Sequence, residues 1–250
     1  MDRTLTLQPR LRAIADLVPP GSRLADVGTD HGYIPAALLL EGRIAEAIAS
    51  DIGREPLEHA ARTARQWGVA DRMELRLCDG LSAIAPDEAD TVVIAGMGGD
   101  NIVDILSAAP WTREGTLLLL QPMSRPETLR RWLPENGYAV TAEELVLDKG
   151  TIYPILSVRG GHMPPATDGE AYGGFLLGED PLWGPYLEDR ILRLRKAAAG
   201  LARARDEGLA QRREMFLAAA AALSEKKGEW ELSLLHISEP TGQGATSFAA

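Results

Sequence analysis

The stretch Arg23-Leu24-Ala25-Asp26-Val27-Gly28-Thr29-Asp30-His31-Gly32-Tyr33-Ile34-Pro35 reads as a short buried strand, a tight acidic turn and a helix start. Leu24, Ala25 and Val27 supply the apolar strand, and Gly28 and Gly32 permit a close backbone turn. Such a unit puts its loop at the carboxyl edge of a parallel sheet, where open α/β folds bind ligands. A dinucleotide fingerprint would need G-x-G-x-x-G so that the backbone can approach a pyrophosphate. Here Asp30 stands between the two glycines. A carboxylate there repels a diphosphate and favours a cationic ligand. S-adenosylmethionine, with a sulfonium, an amino group and no phosphate, has that chemistry.

Working outward, apolar spacing predicts a leading helix within Leu5–Leu17, ended by Val18-Pro19-Pro20-Gly21. After the opening strand come a helix (34–40), a strand (44–50), a helix (55–67), a strand (73–77), a strand (91–95), a helix (101–108), a strand (116–120) and a helix (125–136). This alternation predicts a parallel sheet with helices on both faces. Runs 138–147 and 151–158 are then joined only by Asp148-Lys149-Gly150, too short for a crossover helix, so they form an antiparallel hairpin. The element order resembles that of class I Rossmann-like methyltransferases: an α/β fold with a seven-stranded, mostly parallel sheet and a terminal antiparallel hairpin.

The domain plan is a ligand-binding domain over 1–160, a turn-rich linker over 161–182 and a small helical, coiled-coil-like domain over 183–230. The segment Leu232–Thr241 resembles the translation of a sequencing-library adapter, so 231–250 is expected to be a non-native tail.

No apolar run approaches the ~20 residues that span a bilayer, and the opening residues lack the pattern of a secretory signal. The lone Cys78 excludes an internal disulfide and suits a reducing cytoplasm. A net charge of −10 argues against a uniformly basic nucleic-acid binder. The distribution says more. Residues 183–227 carry 10 Lys/Arg against 6 Asp/Glu, a net +4 that leaves −14 elsewhere. A basic arm on an acidic body suggests a polyanionic partner, although a solvated helix face has the same composition.

Four turns follow four strands, and each ends in a residue type that the cationic-nucleoside reading needs. Asp26 and Gly28 open the first, Asp51 is placed to accept from ribose hydroxyls, Asp79 with Gly80 suits an adenine amino group, and Gly96-Met97-Gly98-Gly99 leaves room for a target beside the methyl group. A single aspartate in a turn ordinarily stabilises that turn. Four such turns at consecutive strand ends, three of them with an aspartate, point to a ligand. Other chemistries fare worse. His31, His59, His162 and His236 are scattered, no C-x-x-C or H-E-x-x-H occurs, and no metal site is expected. Neither a G-x-S-x-G elbow nor a Walker loop is present.

Asp26-Val27-Gly28-Thr29-Asp30-His31-Gly32-Tyr33-Ile34-Pro35, Asp79-Gly80, Ile94-Ala95-Gly96-Met97-Gly98-Gly99 and Gln121-Pro122 together resemble the bacterial tRNA adenine-22 N1-methyltransferases, the TrmK type, over about Leu5–Arg159. The resemblance implies transfer of a methyl group from S-adenosyl-L-methionine to N1 of an adenine in the tRNA D-loop region. It implies cofactor contacts at Asp26, Gly28, Asp51, Asp79, Gly80 and Gly96. It leans Asp30, His31, Tyr33 and Met97 towards the target base, with Asp30 stabilising the methylated cation or accepting the N6 proton. The basic helices, with Arg190, Arg193, Arg195, Lys196, Arg203, Arg205, Arg212 and Arg213, are the candidate tRNA contacts. The competing readings are a methyltransferase acting on another RNA, a protein or a small molecule; an NAD-type oxidoreductase; and a non-catalytic binding module. The sequence leaves the oligomeric state open.

Overall fold

The computed structural model describes residues 5–202 and 206–237, with side chains to Leu234 in the last helix. The chain divides into two compact units, Met1–Leu182 and Trp183–Ala250. The first is built on one seven-stranded sheet of order β3-β2-β1-β4-β5-β7-β6. Its strands are β1 (Leu24–Val27), β2 (Ala47–Asp51), β3 (Met73–Leu77), β4 (Thr91–Gly98), β5 (Leu117–Ser124), β6 (Tyr138–Asp148) and β7 (Thr151–Gly160). The first five are mutually parallel, and the β6–β7 hairpin adds antiparallel to β5. The chain order reverses at β1, which lies between β2 and β4. That switch point opens a crevice at the carboxyl ends of the strands.

Alternation along the central strands sends side chains to two cores. Ala25, Val27, Val92 and Ile94 join one cluster, with Ile102 and Leu106 of α4 (Gly99–Ala108) and Leu129 and Leu133 of α5 (Pro126–Glu135). Leu24, Ala47, Ala49 and Val93 join the other. There they meet Ile14 of α1 (Pro9–Leu17), Leu38 of α2 (Tyr33–Leu40) and Ala64 of α3 (Arg54–Trp67). α3 buries Leu57, Ala60, Thr63 and Ala64 on one face and stops at Gly68, whose φ is 70°. The expected sheet, its helices and its terminal hairpin are all present.

Two differences bear on the site. β4 and β5 run beyond 95 and 120, because register shifts between Ala95, Met97 and Gly98 let Met97 pair with Pro122 and Gly98 with Ser124. And residues 161–182, read from composition as a linker, carry α6 (Asp168–Gly173) and belong to the first unit. Thr167 and Glu170 form a reciprocal capping box on α6. The fully buried Arg130 donates to the Ala171 carbonyl and pairs with the equally buried Glu143. Glu143 also accepts from the Phe175 and Leu176 N–H groups.

The second unit is an antiparallel pair, α7 (Trp183–Gly200) and α8 (Glu207–Ile237). Contacts of Gly184 with Trp230, of Glu188 with Lys227 and of Arg195 with Ser224 set the opposed direction. Leu187, Ile191, Leu194, Ala198, Ala219, Ala220 and Leu223 are buried. α8 continues through Gly228 and across the start of 231–250. The rest of that tail, and Arg203 and Arg205, lie outside the described residues, as does the His236 side chain.

Candidate active site

Asp26 is the penultimate residue of β1, and its carboxyl group is buried. Thr29 Oγ1 donates to Asp26 Oδ2 at 2.6 Å. Burial raises the Asp26 pKa to about 6, against the lowering effect of the Thr29 bond, and the neighbouring Asp51 charge adds to the rise. The strand then breaks. Gly28 has φ 75°, and its N–H and that of Thr29 both donate to the Ser50 carbonyl of β2. A Cβ at Gly28 would fall 1.9 Å from Met97 Cε, so a side chain here would have to displace that methyl and adopt a strained positive φ.

Asp26, Gly28, Asp30, His31, Tyr33 and Gly96 line one cleft of about 850 Å³, together with residues of α1 and with Lys149. Asp51 and Asp79 stand at the adjoining strand ends, where the Cys78 N–H donates to the Asp51 carbonyl. Asp51 Oδ1 accepts the Gly53 N–H, and Asp79 is exposed. Gly80 follows with its Cα facing Ile105 of α4. Met97, half-buried, packs against the core cluster that holds α4 and α5, and its Cε lies over Gly28 of the cleft lining.

Three features escaped the sequence reading. The first is His59 of α3. Its ring stacks on His31 at 4.7 Å and 11°, and His31 stacks on Tyr33 at 5.0 Å and 12°. Asp30 runs along the stack's edge, with Oδ2 3.3 Å from His31 Nε2 and Oδ1 3.6 Å from His59 Nδ1. His59 Nδ1 is buried without a hydrogen bond. The donor atoms of Asp30, His31 and His59 lie within 4.8 Å of one another. A metal binds in the plane of each imidazole ligand, and two rings stacked face to face cannot direct both lone pairs at one ion. The arrangement is an aromatic stack with a carboxylate edge.

The second feature is Arg10 of α1. Its Nη1 donates to Gln121 Oε1 at 2.7 Å, and Nε lies 3.7 Å from Asp148 Oδ2. Gln121 Oε1 also accepts the Gly96 N–H at 3.1 Å, while Nε2 donates to the Pro122 carbonyl. The Gly96 turn, at φ 80°, is therefore held by a buried side chain rather than by the sheet ladder. The third is Lys149, treated below. A loop-first reading missed all three because each lies on another element, far away in sequence.

The donor set suits S-adenosylmethionine: a buried carboxylate for its ammonium, a second acid for a diol and a glycine turn that leaves the backbone bare.

Comparison with known proteins gives the same direction. Residues 7–156 match the model of the methyltransferase domain family. The tRNA (adenine(22)-N(1))-methyltransferase of Bacillus subtilis is 35% identical over 184 residues, covering 73% of this chain and 75% of that protein. The crystal structure of the Bacillus subtilis m1A22 tRNA methyltransferase TrmK superposes with a TM-score of 0.80 at 27% identity, over 89% of this chain and 99% of that one. Sp1610 of Streptococcus pneumoniae, crystallised with S-adenosyl-L-methionine, has a TM-score of 0.76 at 29% identity, over 87% and 98% of the two chains.

Proposed function

The chain belongs to the methyltransferase domain family and, within it, to the tRNA (adenine(22)-N(1))-methyltransferases; from that membership we propose that it methylates N1 of adenine 22 in the D-loop region of tRNA with S-adenosyl-L-methionine. The observation that carries this reading is the match to the Bacillus subtilis enzyme, in sequence over 73% of this chain and in fold over 89% of it. A tRNA substrate accords with a cytoplasmic protein.

S-adenosylmethionine supplies, when bound, a methyl group made electrophilic by its sulfonium. Asp26 holds the ammonium, and Asp51 offers its second oxygen to the ribose diol. Asp79 and Gly80 take the adenine end, and Gly28 and Gly96 keep the backbone clear. N1 of the target adenine carries its own lone pair, so the chain needs no nucleophile. Its residues align the base, which accounts for much of the rate. A base held in folded tRNA must first leave its stack. Tyr33, exposed at the cleft and backed by His31 and His59, offers a ring face for it. Methylation leaves a positive charge on the base. Asp30, exposed beside that stack, stabilises the charge or accepts the N6 proton. Met97 supports the site through Gly28.

The basic face of the second unit is assigned to the tRNA backbone. Arg190 and Arg193 both pair with Asp189, which leaves the remaining cations of the pair as its main attraction.

Incubation with methyl-labelled cofactor and unmodified tRNA, followed by nucleoside mapping, tests the reading. Label is expected in 1-methyladenosine at position 22. Asp30→Ala should lower kcat while leaving cofactor affinity within about twofold, the behaviour of a group acting on the reacting state. Tight cofactor binding with no transfer to any tRNA would refute the activity.

A further inference from the structure

In the β6–β7 hairpin Asp148 pairs with Thr151, so Lys149 and Gly150 are the two central turn residues. Their φ angles are 49° and 79°. Positive φ at both positions is the requirement of a type I′ turn, which favours Asn-Gly, Asp-Gly or Gly-Gly. A lysine at the first position brings its Cβ against the following carbonyl, which strains the turn. Among the described residues only Arg125 shares this non-glycine conformation. Strain of this kind marks a position where the side chain serves something other than the turn.

Lys149 is exposed, yet it lines the same cleft as Asp26, Asp30 and Tyr33. Its place is fixed by its neighbour, since the buried Asp148 faces Arg10 of α1, which in turn grips Gln121. Arg10 is thus committed to the scaffold and Lys149 is not. It is also the single lysine in residues 1–182, whose other 15 basic residues are arginines. The cleft lining thus combines the carboxylates of Asp26 and Asp30 with an uncommitted ammonium. An adenosine entering as part of an RNA brings a phosphate on each side.

We propose that Lys149 binds the phosphodiester adjoining the target adenosine and so seats the base at the cleft. This rests on the function proposed above and extends it to the substrate's backbone. A mobile ammonium on a flexible stem suits a point contact to phosphate.

The test uses Lys149→Asn and Lys149→Glu in the full chain. Asparagine is favoured in this turn, so Lys149→Asn should unfold no more readily than the parent, and lost function will not be misfolding. Expected results are a KM for tRNA raised about fivefold, a salt slope of tRNA binding reduced by about one, and unchanged cofactor affinity. Competition between AMP and adenosine, in the presence of S-adenosylhomocysteine, reads the contact without any methyl transfer. AMP should bind about fivefold more tightly than adenosine to the parent and equally to Lys149→Asn, the scale of one charge contact. Lysine acetylation followed by mass spectrometry should show Lys149 shielded by tRNA. An unchanged AMP-to-adenosine ratio, or an unchanged tRNA KM in both variants, overturns the proposal. If the parent methylates no tRNA but the ratio still depends on Lys149, the tRNA reading fails and the phosphate contact stands.

Discussion

Asp26 shows how one buried atom pair links stability to binding. Its carboxyl is raised to about 6 chiefly by burial. In the unfolded chain the group titrates near the ordinary aspartate value of 3.8. Between those values the folded state holds a proton that the unfolded state has released, so stability falls as pH rises through this window. Above it the ionised group costs the apo fold roughly 3 kcal/mol. Asp26→Asn keeps an acceptor for Thr29 and removes the charge. The variant should melt several degrees higher than the parent at pH 8, and the advantage should vanish towards pH 4 in parallel melts. A cationic ligand has the opposite preference. Cofactor affinity of the parent should weaken below pH 6, where Asp26 becomes neutral, and Asp26→Asn should bind weakly at every pH in calorimetry. If the variant binds normally at pH 8, Asp26 does not hold the ammonium. The sequence placed Asp26, Gly28 and Asp30 in one turn because they are neighbours in the chain. His59 was beyond reach, since a histidine on an amphipathic helix carries no sign of which loop it will face.

At the scale of elements, the strand ends were readable and the braces between them were not. Apolar runs and glycine stops located β1 to β5 because local composition governs where a buried strand must end. The bulge in β4 is set by what it meets on β5, and no single strand encodes that. α1 is similar: its apolar spacing shows that it packs, but only the fold shows that Arg10 crosses to Gln121 and through it fixes the Gly96 N–H. Gln121→Leu removes the shared acceptor and leaves that N–H and part of the Arg10 charge unpaired. Urea unfolding should show a loss of about 2 kcal/mol, the penalty for an unsatisfied buried donor. Gln121→Glu keeps the acceptor for Arg10 and Gly96 but loses the donor to the Pro122 carbonyl, so it should recover only part of that stability. Turnover should fall in the leucine variant and recover in the glutamate one. Equal stability and turnover in all three proteins would show that the turn holds itself.

The two units of the whole molecule differ in charge as well as in fold. Residues 1–182 carry 16 Lys/Arg against 27 Asp/Glu, so the body that holds the cleft is itself repulsive to RNA. Residues 183–227 have the opposite sign. That asymmetry was legible from composition, and so was the helical pair starting at Trp183; that 161–182 belong to the first unit was not. Glycine and proline between 160 and 167 look like a linker, yet the segment that follows covers the buried Arg130–Glu143 pair. Local composition does not reveal that an arginine 41 residues upstream needs a carbonyl from Ala171. Both hydrophobic clusters of the first unit lie within residues 5–175, so a chain ending at Leu182 retains its whole core. It should melt cooperatively and bind cofactor within about twofold of the full chain, while tRNA affinity falls at least tenfold and loses most of its salt dependence, as expected when phosphate-neutralising cations are removed. A chain ending at Gly160 should instead melt well below it, because the buried pair is uncovered and Glu143 loses two donors. Filter binding and thermal melts of the two truncations separate the contributions. Undiminished tRNA affinity in the longer one would mean that the first unit recognises the substrate despite its charge, and the basic pair would lose its assigned role.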